Sequence, residues 1–369
     1  MKKRMLALLL SALILATATG CQHASEIPTT ESKNIENTDQ PKDSVGEDQN
    51  ESLSQNNGTD HADVTNQSSQ NEHTSAPEEA KKVLSEWATD PKWKQHDYFL
   101  ANVDQNPYDQ WWKAADGSPD YGHPLYPCAT YMDLWLGELT YTAESGKEYF
   151  TDTEAYELWK YQLEQFAASV RETVTIENSL MRYKDPRFSI LFSACRVIRQ
   201  KTIDAKNFLC HYGTAETGRV TPLDAVIDPP LSKIDPAYLT KGLDQNPYDD
   251  WLVAELAAEN ASKQNLYAQY CTLWEHEMPL ILEYGQGLFS SAEQYEQWKN
   301  SLEQFMTSAR ELFEIEWRHA PSEEQQLQVL ISYAQLIRDK VLDEVFFLRQ
   351  YESDLEALEI LNRVPETKG

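Results

Sequence analysis

The side chains in this sequence that could best carry out chemistry are charged residues that recur at a fixed spacing of 139 residues. Paired carboxylates can act as general acid and general base when they converge in a cleft and their pKa values are split. The other interpretation is structural, because arginine–glutamate pairs can fix the register of helices in a bundle. We favour structural pairing and assign no catalytic residue. The matched pairs are Glu138/Glu277, Glu144/Glu283, Glu154/Glu293, Glu164/Glu303, Arg171/Arg310, Glu172/Glu311, Glu177/Glu316, Arg199/Arg338 and Lys201/Lys340.

The arginines of this set have two alternative partners. Arg199 is predicted to project from a helix and to pair with Glu138 or with Glu177, and Arg338 is predicted to pair with the corresponding glutamates of the second half. Glu154 and its counterpart are expected to act as helix caps instead. Either pairing would remove these carboxylates from acid–base chemistry.

Motifs for other kinds of catalysis or cofactor binding are missing from the sequence. It contains no glycine-rich phosphate loop, no Gly-x-Ser-x-Gly elbow and no Cys-x-x-Cys pair. His276 and Glu277 do not begin a zinc-protease motif, because Leu280 occupies the position of the second histidine. Cys210 and the adjacent His211 would point about 100° apart on a helix. We therefore expect no metal, no cofactor and a protein that is not an enzyme.

The first 21 residues resemble the signal peptide of a bacterial lipoprotein. Met1–Arg4 is basic, Met5–Thr19 is almost entirely apolar or small, and small residues directly precede Cys21. The resemblance implies cleavage before Cys21, lipidation of its thiol, and anchoring on the extracytoplasmic face of the cell membrane. The alternative is an ordinary secretory signal that contains a cysteine by chance. The apolar segment is shorter than the roughly 20 residues that a membrane span needs.

Composition separates an acidic linker from the remainder of the chain. Residues 22–76 contain no aromatic residue and are rich in serine, threonine, asparagine and acidic side chains, so we expect them to be disordered. The whole chain has a net charge of −28. Such a charge disfavours nucleic acid and anionic lipid surfaces as partners and favours a cationic protein. The alternative is that the acidity serves only solubility.

An internal duplication predicts the fold. Residues 151–171 recur as residues 290–310, and in both segments apolar residues follow one another at steps of three and four, as on one helix face. We predict an all-α protein with two tandem three-helix up-down-up bundles. The predicted divisions are a signal peptide at 1–21, a linker at 22–76, a first helical repeat at 77–213, a connector at 214–236 and a second helical repeat at 237–369.

Two kinds of helix start are predicted in each copy. Thr151 and Ser290 are expected to cap the middle helices, each together with the glutamate three residues further on. Residues 104–109 recur letter for letter as residues 244–249. Their asparagine, proline and second aspartate suit an N-cap, a first helical residue and a first turn. We interpret the motif as a helix start, and the alternative is a ligand site.

Residues off the predicted apolar seam are the candidate binding residues. Trp112 and Trp317 have no tryptophan at the matching position of the other copy, and we predict that they are exposed contact residues. The other candidates are matched between the copies without belonging to the seam: Lys160, Lys299, Gln165 and Gln304.

Four cysteines follow Cys21, and an exported protein can form disulfides with them. They are Cys128, Cys195, Cys210 and Cys271, and none has a cysteine at the matching position of the other copy. Four thiols allow three connectivities, among which the sequence does not choose.

Three short motifs in order resemble the LprI-like lysozyme-inhibitor family. They are Leu-Trp-x-x-Glu-Leu at residues 134–139, Trp-x-x-x-Leu-x-x-Phe at residues 159–166 and Ile-Arg-x-Lys at residues 198–201, each with a second copy. The resemblance implies a small, helical, exported and often lipid-anchored protein. The family usually has Gln-x-x-Trp followed by Arg-Asp on the middle helix, whereas this chain has Glu-Gln-Phe followed by Arg-Glu, so the resemblance bears on the fold more than on the activity.

The favoured function is therefore that of a non-catalytic binding lipoprotein of the cell envelope. Its acidic bundles would capture a cationic partner such as lysozyme, since opposite charge speeds encounter. One alternative is an envelope enzyme that acts on wall glycan or peptide through the shared glutamates and arginines. Another is a structural spacer or assembly module.

Overall fold

The architecture is that of a computed structural model, which describes residues 103–116, 122–212, 247–258 and 262–363. These residues are helical almost throughout, and none of them lies in a β-strand. The predicted all-α class is therefore confirmed for this part of the chain. The predicted lipidation site Cys21, the predicted linker at 22–76 and the predicted connector at 214–236 lie outside the described residues.

Eight α-helices follow one another in the described ranges, four in each copy of the repeat. They are α1 Pro107–Ala115, α2 Leu125–Ser145, α3 Thr153–Leu180, α4 Lys184–His211, α5 Pro247–Ala258, α6 Lys263–Leu288, α7 Ala292–His319 and α8 Glu323–Arg363. Each copy thus has one short helix followed by the three long helices that its periodicity predicts.

The repeated motif at residues 104–109 does begin a helix. The side chain of Asn106 accepts the amide N–H of Asp109 at 2.8 Å, and Pro107 is the first residue of α1. Asn246, at the matching position of the second copy, lies outside the described residues. The cap interpretation is therefore confirmed for the first copy.

The middle helices α3 and α7 begin one residue later than predicted. Asp152 caps α3 by accepting two first-turn amide N–H groups, and Ser291 caps α7 by accepting one. The predicted caps Thr151 and Ser290 are therefore wrong. Both segments start with two consecutive residues of the capping type, and the residue nearer the helix takes the role because its side chain reaches the first-turn amides.

The most extensive helix contact joins the two copies, α3 against α7. These helices are antiparallel. The amide of Gln162, in the first half of α3, donates to Glu311 in the second half of α7, whereas Thr173 donates to Ser301 at 2.8 Å. Helices α4 and α8 also meet across the copies, and all described residues belong to one compact unit. Two tandem bundles are therefore not confirmed as the finer arrangement.

Approximate two-fold symmetry relates the copies. The indole of Trp159 donates to Glu316 at 3.1 Å, and the matching indole of Trp298 donates to Glu177 at the same distance. Phe166 packs against its own counterpart in the second copy, with ring centroids 5.2 Å apart. A contact made twice with roles exchanged, and a residue that meets its own equivalent, are the marks of an isologous interface.

Two matched glycines let helix ends approach the core indoles. A Cβ atom on Gly146 would lie 2.7 Å from Cζ3 of Trp159, and a Cβ atom on Gly285 would lie at the same distance from Cζ3 of Trp298. Both indoles are completely buried. Because a packed interior leaves them no room to move aside, glycine is required at these positions.

The first prediction concerns the packing at Gly285. We expect Gly285→Ala to lower the free energy of unfolding by about 1–3 kcal/mol, because the new methyl group would overlap the indole of Trp298. Gly287 lies in the same helix with open space around it, so Gly287→Ala should raise stability by up to about 1 kcal/mol through helix propensity. Urea unfolding followed by far-UV circular dichroism measures both. Equal effects of the two substitutions would contradict the packing argument.

Candidate functional site

Arg199 of α4 pairs with Asp109 of α1. Its Nη2 lies 2.7 Å and its Nε 3.1 Å from Oδ2 of Asp109. This two-nitrogen contact is a strong form of charge-assisted hydrogen bond. Arg338 of α8 repeats it with Asp249 of α5, where Nη2 and Oδ2 are 2.6 Å apart.

The predicted pairing of Arg199 with Glu138 or Glu177 is therefore wrong, and so is the corresponding prediction for Arg338. In the sequence, the aspartate is recognisable only as a first-turn residue of a short helix. The fold places that turn against the third long helix of the same copy, where the aspartate pairs with the arginine.

The tyrosine of the same motif engages the predicted glutamate instead. Tyr108 donates its hydroxyl to Glu138 at 3.0 Å, and Lys206 forms an ion pair with the same carboxylate. In the second copy Tyr248 donates to Glu277. Burial raises the pKa of Glu277. Besides starting a helix, the repeated motif thus joins each short helix to a buried glutamate and to an arginine.

A buried charge cluster, the Glu316 cluster, is built from both copies. Glu316 of α7 lies 2.7 Å from Nζ of Lys201 on α4, and Trp159 of α3 donates to the same carboxylate. Glu316 and Lys201 are both buried. Three of the matched residues, two from one copy and one from the other, therefore meet around a single carboxylate.

The symmetry-related Glu177 cluster contains one extra carboxylate. Glu177 of α3 accepts from Trp298 of α7, and Lys340 of α8 forms an ion pair with Glu344 on the next turn of its own helix. Glu344 is completely buried, whereas the matching residue of the first copy is Ala205. Two carboxylates thus lie close to one lysine here, where the Glu316 cluster has a single glutamate.

The extra carboxylate changes the protonation of the Glu177 cluster. Burial and the neighbouring Glu344 raise the pKa of Glu177 well above its usual range. Burial lowers the pKa of Lys340, but Glu344 and Glu177 raise it more, so the net shift is upward. Because two like charges cannot both be stable beside one ammonium group out of water, the cluster tends to retain a proton.

Each cluster borders a small cavity, and the two cavities have matching walls. Asp343 and Ser193 line the cavity of the Glu177 cluster, and Asp204 and Ser332 line that of the Glu316 cluster. Each has a free volume of about 10 Å³, close to the minimum that holds one water molecule. Burial raises the pKa of Asp343 to about 7 and that of Asp204 to about 6. These groups can hold a proton, but a substrate does not fit beside them.

The second prediction concerns the Glu316 cluster. Lys201→Met should lower the free energy of unfolding by about 3–5 kcal/mol, because it leaves Glu316 charged and buried without its counter-ion. The double substitution Lys201→Met with Glu316→Gln should recover most of that loss, since the amide is neutral and still accepts from Trp159. Chemical denaturation of both variants measures the difference.

The matched control for this prediction is Lys160→Met. Lys160 forms only a partly exposed ion pair, 3.8 Å long, with Glu164. Its loss should therefore cost less than about 1 kcal/mol. The argument fails if the double variant is no more stable than Lys201→Met alone.

The third prediction concerns pH. The folded pKa of Asp343, about 7, lies above the roughly 4 of an unfolded aspartate. The folded state therefore holds this proton more tightly, and the resulting stability is present at low pH and lost as the pH rises through 7. Asparagine does not titrate. We expect Asp343→Asn to gain about 2 kcal/mol relative to the parent chain between pH 4 and pH 8.

Urea unfolding at pH 4, 6 and 8 measures this gain. Asp250→Asn is the control, because it makes the same substitution at an exposed position on α5, away from the buried clusters. Parallel curves for Asp343→Asn would show that the aspartate titrates normally in the folded protein.

The two tryptophans predicted to be exposed have different environments. Trp317 is buried, so the prediction of an exposed contact residue is wrong for it. Trp112 is half-buried and stacks on Tyr131, with ring centroids 5.3 Å apart. Phe188 and Phe192 lie on its other sides. Trp112 therefore belongs to an aromatic group at one end of the first copy.

The four other candidate binding residues remain near the surface on α3 and α7. Lys160 pairs with Glu164, and Lys299 lies 3.8 Å from Glu296 and 3.9 Å from a second glutamate one turn later. The amide side chains at the next positions, Gln165 and Gln304, are half-buried. Their role in binding stays a prediction.

A surface that the sequence analysis missed lies on the outer side of α3, and we call it the α3 outer face. Leu158 and Tyr161 are exposed there by 46% and 52%, large values for side chains of this size. Exposed carboxylates flank them at Glu157 and Glu164. Residues at these spacings share one side of a helix.

The second copy lacks the apolar part of this face. Gln297 and Asn300 stand at the positions of Leu158 and Tyr161, although the flanking glutamates are retained as Glu296 and Glu303. An open groove of about 630 Å³ runs beside Leu158, between α3 and α7. The sequence does carry this signal, because both positions are apolar or aromatic in the first copy and polar amides in the second.

Comparison with known protein families, with characterised proteins and with solved structures found no match to this chain. In the described ranges no helix combines the length and the apolar character that crossing a membrane requires. The same ranges contain no group of three or more histidine, cysteine, aspartate or glutamate side chains placed to hold a metal ion. The fold and the contacts above are therefore the basis for a functional proposal.

Proposed function

We propose that this chain is a non-catalytic binding lipoprotein of the cell envelope that captures a cationic protein on the α3 outer face. The observation that carries the proposal is the exposed pair Leu158 and Tyr161 between Glu157 and Glu164. A tyrosine and a leucine can serve as the anchor of an interface, and a rim of carboxylates attracts a basic partner.

Charge supports a cationic partner. The chain carries a net charge of −28, so a basic protein would be drawn towards it over distances of about a Debye length. A nucleic acid would be repelled. Lysozyme, a basic enzyme that attacks cell walls, is the partner proposed for testing, in line with the resemblance of three helical motifs to the LprI-like lysozyme-inhibitor family.

The enzyme alternative has less support from the same geometry. General acid–base catalysis needs carboxylates that a substrate can reach. Glu138, Glu277, Glu177 and Glu316 are buried, and each already accepts a hydrogen bond from a tyrosine or tryptophan. The engagement of these four glutamates in contacts between helices supports a binding function over a catalytic one.

The proposal has two further parts. The chain is attached to the membrane through a lipid on Cys21, and the acidic linker at residues 22–76 is disordered. The lipoprotein-like signal sequence supports the anchor, and the composition of the linker supports its disorder. A flexible linker of this length would let the helical part reach on the order of 40 Å from the membrane surface. The two helical copies would act as one binding unit.

The fourth prediction concerns a variant in which the α3 outer face carries the residues of the matching face of α7. Leu158→Gln with Tyr161→Asn gives the first copy the residues that the second copy holds at these positions. We expect about tenfold weaker binding of lysozyme, because the apolar anchor is lost. The melting temperature should change little, since both side chains are exposed. Surface plasmon resonance with the full chain, at low and at physiological salt, measures the affinity.

A control changes the second copy in the opposite direction. Gln297→Leu with Asn300→Tyr should not weaken binding, because it adds an anchor and leaves the first one in place. Unchanged lysozyme activity at micromolar concentrations of the full chain, together with no measurable binding at low salt, would contradict the proposed partner. Equal affinity of the parent and the Leu158→Gln/Tyr161→Asn variant would contradict the proposed surface.

A further inference from the structure

Two cysteine side chains meet in the core of the first copy. Cys128 lies on α2 and Cys195 on α4, and their Sγ atoms are 3.8 Å apart. Both side chains are completely buried. Sulfur atoms in a disulfide are about 2.0 Å apart, so these two would have to approach each other by about 1.8 Å to bond. Of the three pairings that four thiols allow, the fold thus favours one.

The second copy has no cysteine at either of these two positions. Tyr267 occupies the position of Cys128, and Ala334 occupies that of Cys195. Both are buried, a large side chain on α6 and a small one on α8. Since packing alone is sufficient to join α6 to α8, the two thiols of the first copy are not required by the fold itself. A covalent role explains why they are adjacent.

We propose that Cys128 and Cys195 form a disulfide that joins α2 to α4 when the chain folds in the presence of a thiol–disulfide oxidant. The thiolate of one cysteine attacks the oxidant's disulfide, forming a mixed disulfide and releasing one thiol. The second thiolate then attacks the mixed disulfide at the protein sulfur and releases the other thiol. Two protons leave the cysteines, and the two electrons reduce the oxidant.

The time at which this bond forms follows from burial. Only the thiolate is a good nucleophile. Burial raises the pKa of Cys195 well above its usual range, and the adjacent Cys128 raises it further. Because both thiols are enclosed in the core and the pKa of Cys195 is raised, the folded chain reacts slowly with an oxidant, so the bond forms before α2 and α4 have packed. The supply of an oxidant rests on the extracytoplasmic location proposed above. The pairing of the two cysteines depends only on how the helices pack and is independent of the captured partner.

The test refolds the full chain from denaturant in a mixture of oxidised and reduced glutathione. Free thiols are then alkylated, and the disulfide is located by peptide mass spectrometry. We expect a bond between Cys128 and Cys195 and a melting temperature about 5–10 °C above that of the chain refolded with reductant. Free thiols at both positions after refolding, or a different pairing, would overturn the proposal.

Two variants distinguish loss of the disulfide from loss of the fold. Cys195→Ala places the alanine of the second copy at this position, so it should fold with the helical content of the reduced parent and lose the bond. Cys271→Ser should keep the bond, because Cys271 lies on α6. Oxidised glutathione added to the folded, reduced chain should need at least tenfold longer to form the bond than during refolding, and equal rates would overturn the argument from burial.

Discussion

A carboxylate that is taken out of water costs several kcal/mol unless a counter-ion and hydrogen-bond donors replace the solvent. Glu316 meets this requirement through Lys201 and the indole of Trp159, and both partners come from the other copy of the repeat. Glu177 depends in the same way on Trp298. Neither copy could bury its glutamate alone with these partners. The antiparallel contact between α3 and α7 follows from this mutual dependence.

The remaining architecture is arranged around that contact. The register of α3 on α7 places Phe166 against its own counterpart, and the glycines before each middle helix admit the indoles that donate to the glutamates. Outside the contact, each copy secures its short first helix by a second pair of buried interactions, from Tyr108 to Glu138 and from Arg199 to Asp109. The buried charged residues therefore have partners both in the contact between the two copies and within each copy.

The two copies differ at surface positions and at some interior positions. Leu158 faces solvent on α3, whereas Gln297 stands at the matching place on α7. In the interior, Cys128 and Cys195 stand where the second copy has Tyr267 and Ala334, and Glu344 adds a carboxylate to one cluster. Symmetric positions thus hold the two copies together, while asymmetric positions give the first copy a surface and a pair of sulfur atoms of its own.

Local sequence was sufficient for the elements. Steps of three and four in the apolar residues predicted the long helices because a helix face repeats with that period, and the Asn-Pro start of α1 was predicted because capping depends on neighbours in the chain. Partners could not be predicted in this way. Arg199 pairs with Asp109 and not with the predicted glutamates, and Trp317 is buried rather than exposed.

The reason is that pairing depends on which helices pack side by side, and the 139-residue spacing is compatible with separate bundles or with one interlocked unit. The contacts that define this fold join residues 67 to 157 positions apart in the chain. They are the contact of Cys128 with Cys195 and the hydrogen bonds of Glu177 and Glu316 across the α3–α7 interface. Local periodicity carries no information about such contacts. Sequence alone determined the helices and their duplication, and only the tertiary structure decided which charges, rings and thiols meet.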